Sequence, residues 1–214
     1  KLEINAGELV QNGTLSGDSS VTVNTGKLST GKNSLTTSLG SADLNATQQA
    51  DLNGQINAAG ALAVSGQQLT TQADAQLQSG QDLTLQAGTA SLNGTLASKG
   101  ALSITGSHIA TQKPAKLHSD QELTLRADDV QLDGSHSTPG ALSVTAQRVQ
   151  HSGQSDANSI TFNAPQSIAN SGTLTADRID LQGQALLNSG AMRASLLSLS
   201  GQHLTNGGLL QGRD

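Results

Sequence analysis

The sequence predicts an all-β chain wound as a right-handed parallel β-helix, a solenoid of about eleven coils. Each coil takes roughly 19–20 residues and three short strands. Three observations carry this. Apolar residues alternate with polar ones at a period of two, in short runs cut by Gly and Asn. The runs recur at a near-constant spacing. And there is a single aromatic residue, Phe162, with no Trp, Tyr or Cys, so the core must be filled by Leu, Ile, Val and Ala.

The first strand of each unit is an apolar-x-apolar pair. The pairs are Leu2/Ile4, Val21/Val23, Leu62/Val64, Leu83/Leu85, Leu102/Ile104, Leu123/Leu125, Leu142/Val144, Ile160/Phe162, Ile179/Leu181 and Leu197/Leu199. One more is expected near Ala42/Leu44, where the pattern blurs. Leu2 to Leu197 is 195 residues in ten steps, a mean of 19.5. From Leu62 to Leu142 the steps alternate 21 and 19. That alternation makes the phrase Gly60-Ala61-Leu62 return after forty residues as Gly100-Ala101-Leu102, and again as Gly140-Ala141-Leu142.

The second strand carries an apolar residue five positions after the pair: Leu9, Leu28, Leu69, Ile109, Val130, Val149, Leu186 and Leu204, with Ile168 one later. A turn containing Asn and Gly often follows, as in Asn12-Gly13 or Asn188-Ser189-Gly190. The third strand is marked by Leu15, Leu35, Ile56, Leu77, Leu96, Leu117, Leu174, Met192 and Leu210. Hairpin pairing within a unit would scramble the repeat register, so each strand pairs in parallel with its counterpart in the next unit. Parallel crossovers are almost always right-handed. Eleven coils stacked ~4.8 Å apart give a rod roughly 50 Å long. The turn residues Asn12, Asn53, Asn93, Asn170, Asn188 and Asn206 are expected to stack as a partial amide ladder. The Gly after each turn Asn permits positive φ at the corner.

The G-x-L-x-L unit, the turn of an apolar residue followed by x-Asn-Ser/Gly-Gly, and the following Gly-Thr-Leu resemble the haemagglutinin repeats of filamentous haemagglutinin. They also resemble the related exoproteins of two-partner secretion, including the contact-dependent growth-inhibition family. The resemblance spans nearly the whole chain and is least regular over residues 30–58. It implies a secreted, cell-surface fibre of a Gram-negative bacterium, with an outer-membrane transporter as its partner during secretion. It implies a host or neighbouring-cell receptor or glycan as the target, and a role in cell adhesion and virulence. Residues 1–214 then form one β-helical repeat domain, a fragment of a longer exoprotein. Adhesin, toxin-delivery protein and cytolysin share such a shaft, so the resemblance does not choose between them.

Composition narrows the alternatives. A net charge of −5 with 13% charged residues offers no basic footprint for nucleic acid. No apolar run reaches the ~18–20 residues of a membrane span. No enzyme, cofactor or metal is expected. Asp82 and Glu122 share one repeat position two coils apart, at roughly 10 Å, near the spacing of an inverting glycosidase pair. Ala61, Ala101 and Ala141 hold that position elsewhere, and no ring is available to stack a sugar, so a solvated face is the simpler account. Glu122, Asp128, Asp129 and Asp133 make an acidic patch without the nonapeptide of calcium β-rolls. The outward residues between the pairs, such as Thr22, Thr84, Thr124 and Thr161, form one broken Thr/Ser file rather than the two of an ice-binding face.

The histidines are His108, His118, His136, His151 and His203. His108 and His203 share a position five coils apart. His136 takes the inward place of Leu96 and Leu117, and His151 the turn place of Asn170, at different corners of successive coils. No Ser-His-Asp triad is expected from one corner. Ser155 falls where Leu174 sits, so two adjacent coils lack the third apolar residue. His136, His151 and Ser155 are therefore expected to mark a weakly packed patch or a local contact surface.

Overall fold

The computed structural model describes residues 1–213, and these contain strands and no helix. Asp214 lies outside the described residues. All strand pairing is parallel and runs from each coil to the next, giving a β-solenoid of about 11 turns with about 19 residues per turn. Leu2 pairs with Val21, and the register continues through Ala42, Leu62, Leu83, Leu102, Leu123, Leu142, Ile160, Ile179 and Leu197. The blurred unit thus enters the stack at Ala42/Leu44, and both residues are buried.

Each coil has three faces but not always three separate strands. The first two faces run as one bent strand in Leu2–Gln11, Ser20–Thr30, Ser41–Leu52, Leu62–Thr71 and Leu83–Leu92. They separate in the coils of Leu102–Thr105 and His108–Thr111, and of Leu123–Arg126 and Asp129–Leu132. In Gln154–Asn170 and Thr173–Asn188 pairing is continuous around all three faces.

The forty-residue phrase has a physical cause in the corner between the second and third faces. Residues 31–34, 72–75 and 112–115 form a four-residue corner, closed by Ser34 N–H to Gly31 O (3.0 Å), Ala75 N–H to Gln72 O (3.0 Å) and Ala115 N–H to Gln112 O (2.9 Å). The next coil in each case takes a two-residue corner: Asn53-Gly54, Asn93-Gly94 and Asp133-Gly134. Alternating four and two residues gives the alternating 21 and 19. The glycine of each short corner lies over the carbonyls of the long one. A Cβ on Gly54 would stand 2.6 Å from Gly31 O and Ser34 O. One on Gly134 would stand 2.8 Å from Gln112 O.

Only Gly54 and Gly94, among the described residues, take positive φ, at 70° and 69°. The freedom that a glycine after a turn Asn permits is thus used at the Asn53 and Asn93 corners. At Gly153, Gly172, Gly190 and Gly208 the need is close approach instead, because a Cβ would press into the carbonyl of the glycine one coil earlier.

The interior is a set of aliphatic columns. The third-face column reads Leu15, Thr36, Ile56, Leu77, Leu96, Leu117, His136, Ser155, Leu174, Met192 and Leu210. Thr36, not Leu35, is the inward residue of its coil. Leu35 pairs with Thr14 and Gln55 and is half-buried. Side-chain parity in a strand is strict, so a one-residue offset moves a leucine to the outer face whatever its hydrophobicity. In the second-face column Ala50 and Ala90 fill the coils where no large apolar residue was legible.

Candidate functional site

The candidate site is internal: a file of hydrogen-bonded polar side chains inside the rod. One inward column follows the second face. It reads Leu52, Thr71, Leu92, Thr111 and Leu132, then His151, Asn170, Asn188 and Asn206. The first part alternates leucine with threonine. Thr30 and Thr71 each donate to the carbonyl of the following corner, Asn53 O and Asn93 O, at 2.7 Å. From His151 onward every inward residue is polar.

The six turn asparagines do not form one ladder. Asn170 Nδ2 donates to Asn188 Oδ1 at 2.7 Å, and Asn188 Nδ2 donates to Asn206 Oδ1 at 2.8 Å. Asn12, Asn53 and Asn93 stand one residue later, at the corner itself. Leu52 and Leu92 take the inward place in their coils. Asn53 Oδ1 accepts from the N–H of Gly54 at 2.9 Å, Asn93 Oδ1 is buried without a partner, and Asn12 is exposed. An exposed ladder that periodicity did not reveal runs through Asn5, Asn24, Asn45 and Ser65, at 2.9, 3.1 and 3.1 Å. Its signal was present as recurring amides at matched repeat positions.

His136, Ser155 and His151 meet across the second corner. Thr111 Oγ1 lies 2.8 Å from His136 Nε2, and His136 Nδ1 lies 3.1 Å from Ser155 Oγ. Ser155 Oγ lies 2.9 Å from His151 Nε2, and His151 Nδ1 lies 2.6 Å from Asn170 Oδ1. The proton positions follow by elimination. Asn170 Nδ2 is fixed as a donor by the carbonyl of Gly172 at 3.3 Å, so its Oδ1 is the acceptor facing His151. His151 therefore carries its proton on Nδ1 and accepts on Nε2 from Ser155. Ser155 has then used its one proton, so it accepts from His136 Nδ1–H. His136 Nε2 in turn accepts from Thr111, whose oxygen faces the N–H of Gly134 at 3.3 Å. Both imidazoles are neutral, and all four ring nitrogens are used.

Burial enforces this state. His136 and His151 are each 1% exposed and Ser155 is 0% exposed. Burial, then the neighbouring His151, pushes the His136 imidazole from 6.5 down to about 3. Burial likewise lowers His151, opposed by its bond to Asn170 and by the charge of Asp133. His151 leans on Phe162, with ring centroids 6.2 Å apart. The lone aromatic residue follows Ser155 on the same continuous strand, Gln154–Asn170, and opens the next coil.

None of the three residues is exposed, so they form no contact surface; their sequence positions showed the gap in the column but not its closure by hydrogen bonds. No aspartate stands against His151, but a Ser-His-Asn file does. Ser155, His151 and Asn170 hold the distances of a nucleophile, a base and an orienting group. The arrangement cannot catalyse, because fully buried Ser155 Oγ has no approach for a substrate carbonyl and already accepts from His136. Neutral Asn170 also cannot stabilise an imidazolium as a carboxylate does.

The other sequence candidates lie on the surface. Asp82 and Glu122 share a file with Ala101 between them, and Asp82 Oδ1 accepts from Ala101 N–H at 2.9 Å, which makes it a corner cap. Asp129 is held by Arg148 (2.6 Å) and His108 (3.2 Å), and the guanidinium beside it lowers its carboxyl below the usual range. These three border an open concavity of about 370 Å³. Asp133 accepts from Ser152 Oγ and Gln131 Nε2, both at 2.6 Å. His118 bridges Ser137 and Asp120, and His203 is exposed. Among the described residues no three His, Cys, Asp or Glu side chains converge as a metal site, and no helix is long and apolar enough to cross a membrane.

Sequence reasoning missed one further polar file. Ser38, Ser79, Ser98, Ser119 and Thr138 point inward before the first face and donate to corner carbonyls at 2.7–2.9 Å. Four of them also accept the N–H two residues on, a local turn that Ser and Thr favour.

Comparison with known proteins adds the repeat's lineage. The model of the haemagglutinin repeat matches residues 1–66, 37–127 and 107–213, which together cover the described chain. No curated protein and no solved structure matches this chain.

Proposed function

Because this chain belongs to the haemagglutinin repeat family, we propose that it is the structural shaft of a secreted, surface-displayed bacterial exoprotein of adhesin type. On this reading an outer-membrane transporter exports it, and the rod projects a distal binding or effector domain toward a receptor or glycan on a host or neighbouring cell. Residues 1–214 act as one domain within that longer exoprotein. The observation that supports this most is the division of labour between faces. Inward columns keep register through all coils, while the outward residue of the first face changes freely among Glu3, Thr22, Asp43, Ala63 and Thr84. A solenoid under selection for stiffness and reach needs only the former.

The test is deletion of two coils, residues 83–122, from the full-length exoprotein. This joins Gln81-Asp82 to Leu123 in register, because the forty residues contain one long and one short corner. Surface display and target binding are expected to persist, with the fibre shortened by roughly 10 Å. Loss of binding with display intact would instead make these coils a recognition segment. The same deletion logic applied to residues 42–61, which joins Ser41 to Leu62 in register, tests recognition at the coil whose register is bulged between Asn45 and Gln49. A glycan-cleavage screen of the wild type and of Asp82→Ala/Glu122→Ala tests the non-catalytic reading; cleavage lost in the variant would overturn it.

A further inference from the structure

We propose that the buried file Thr111, His136, Ser155, His151 and Asn170 is an acid-sensitive latch, which holds the coils it crosses shut at neutral pH and lets them open ahead of the aliphatic coils in acid. The file spans the coils between the leucine-filled half of the rod and the asparagine ladder. Its hydrogen bonds run in one direction and use every ring nitrogen. A proton added to His136 goes to Nε2, where it meets the hydroxyl that Thr111 donates. One added to His151 also goes to Nε2, where it meets the proton of Ser155. Either event breaks the order of the file and puts a charge in a dry interior, because a hydroxyl that turns to accept the new N–H gives up its own donation to the ring. The two rings stand only 6.3 Å apart, so a second charge meets the first.

The surroundings offer partial relief: the backbone of Gln154 favours a charged His136, but burial outweighs it. The charged group that bears on both rings is Asp133, at the corner, and it is already occupied by Ser152 and Gln131. From the first face His151 meets the ring of Phe162. The third-face neighbour of His136 on one side is Leu117, and the second-face neighbour of His151 is Leu132. His118, on the adjacent third-face strand, is tied on the outer side to Ser137 and Asp120.

The sign is fixed by the direction of the shift. Folding lowers the imidazole's affinity for protons, so the opened segment binds protons that the closed one refuses. The stabilisation is complete above about pH 6.5 and is lost as pH falls from there toward the folded value. Between pH 7.5 and 4.5 opening becomes favoured roughly 100-fold through His136, and His151 adds to this in the same direction. Each coil of a solenoid contacts only its neighbours, so the opening stays local.

Hydrogen exchange read by mass spectrometry, on residues 1–214 at pH 7.5 and 4.5, tests this once rates are referred to an unstructured peptide at each pH. Amides in residues 129–160 are expected to lose at least 100-fold more protection on acidification than those in residues 76–105. His136→Leu continues the column of Leu117 and frees Thr111 to donate to the corner carbonyl, as Thr30 and Thr71 do. In that variant the acid response is expected to shrink by roughly 100-fold. An equal acid response in both segments overturns the latch, and so does a full response in a folded His136→Leu protein. Should that variant fail to fold by circular dichroism, the wild-type comparison alone decides.

Discussion

Replacing Asn188 by Ala removes the middle rung of the interior amide ladder. Asn188 is 1% exposed and takes part in two amide–amide bonds, accepting from Asn170 at 2.7 Å and donating to Asn206 at 2.8 Å. It also reaches Leu209 O at 3.2 Å and Gly190 O at 3.3 Å. The two short bonds are worth about 1 kcal/mol each in net terms. The remaining cost depends on what is stranded. Asn206 is exposed and keeps Gly208 N–H at 3.3 Å, so water replaces its lost donor cheaply. Buried Asn170 keeps only Gly172 O at 3.3 Å for its amide, and a half-satisfied buried donor adds about 1–2 kcal/mol. The expected loss is therefore about 3–4 kcal/mol, confined to the coils on either side. Native-state hydrogen exchange of residues 168–192 measures it. Asn12→Ala is the control, because Asn12 is exposed and outside the ladder; it should cost under about 0.5 kcal/mol. Equal losses in the two variants, or less than about 1 kcal/mol for Asn188→Ala, would refute the assignment of the ladder as a stabilising element.

Three further outcomes are expected. Gly94→Ala forces a side chain into φ of 69° and places a Cβ 2.7 Å from Gln72 O, so it should cost about 2–4 kcal/mol, whereas Gly13→Ala, with nothing within 4 Å, should be near neutral; urea titration of the two variants compares them. Leu96→Ala empties a fully buried column site between Leu77 and Leu117 and should cost about 2–5 kcal/mol, read as lost protection over residues 76–119 with little change beyond residue 170. At neutral pH the strands at His136 and Ser155 should open more readily than those at Leu77 and Leu96, because polar side chains there replace apolar area worth about 2 kcal/mol per leucine; equal protection in the two segments would count against it.

How far the sequence reached depends on the periodicity involved. The pairs from Leu2/Ile4 to Leu197/Leu199 could be read directly, because period-two alternation and a fixed coil length are one-dimensional facts that parallel stacking turns into register. The same logic located the gap at His136 and Ser155. It failed at Leu35, where a leucine of the wrong parity masked the inward Thr36. It failed again at the asparagines: Asn12, Asn53 and Asn93 look like Asn170 and Asn188 in a turn alignment, but stand one residue beyond the inward place.

The sequence by itself therefore determined the solenoid, the coil length, the aliphatic columns and the repeat family. Only the tertiary structure decided that the forty-residue phrase comes from alternating four- and two-residue corners. It alone decided that His136 and His151, legible as residues at different corners, meet through Ser155. The reason is that a corner brings together side chains from two faces, and their distance depends on its backbone path rather than on spacing along the chain. The proton order of the file then follows from carbonyls such as Gly172 O, which no side-chain pattern encodes.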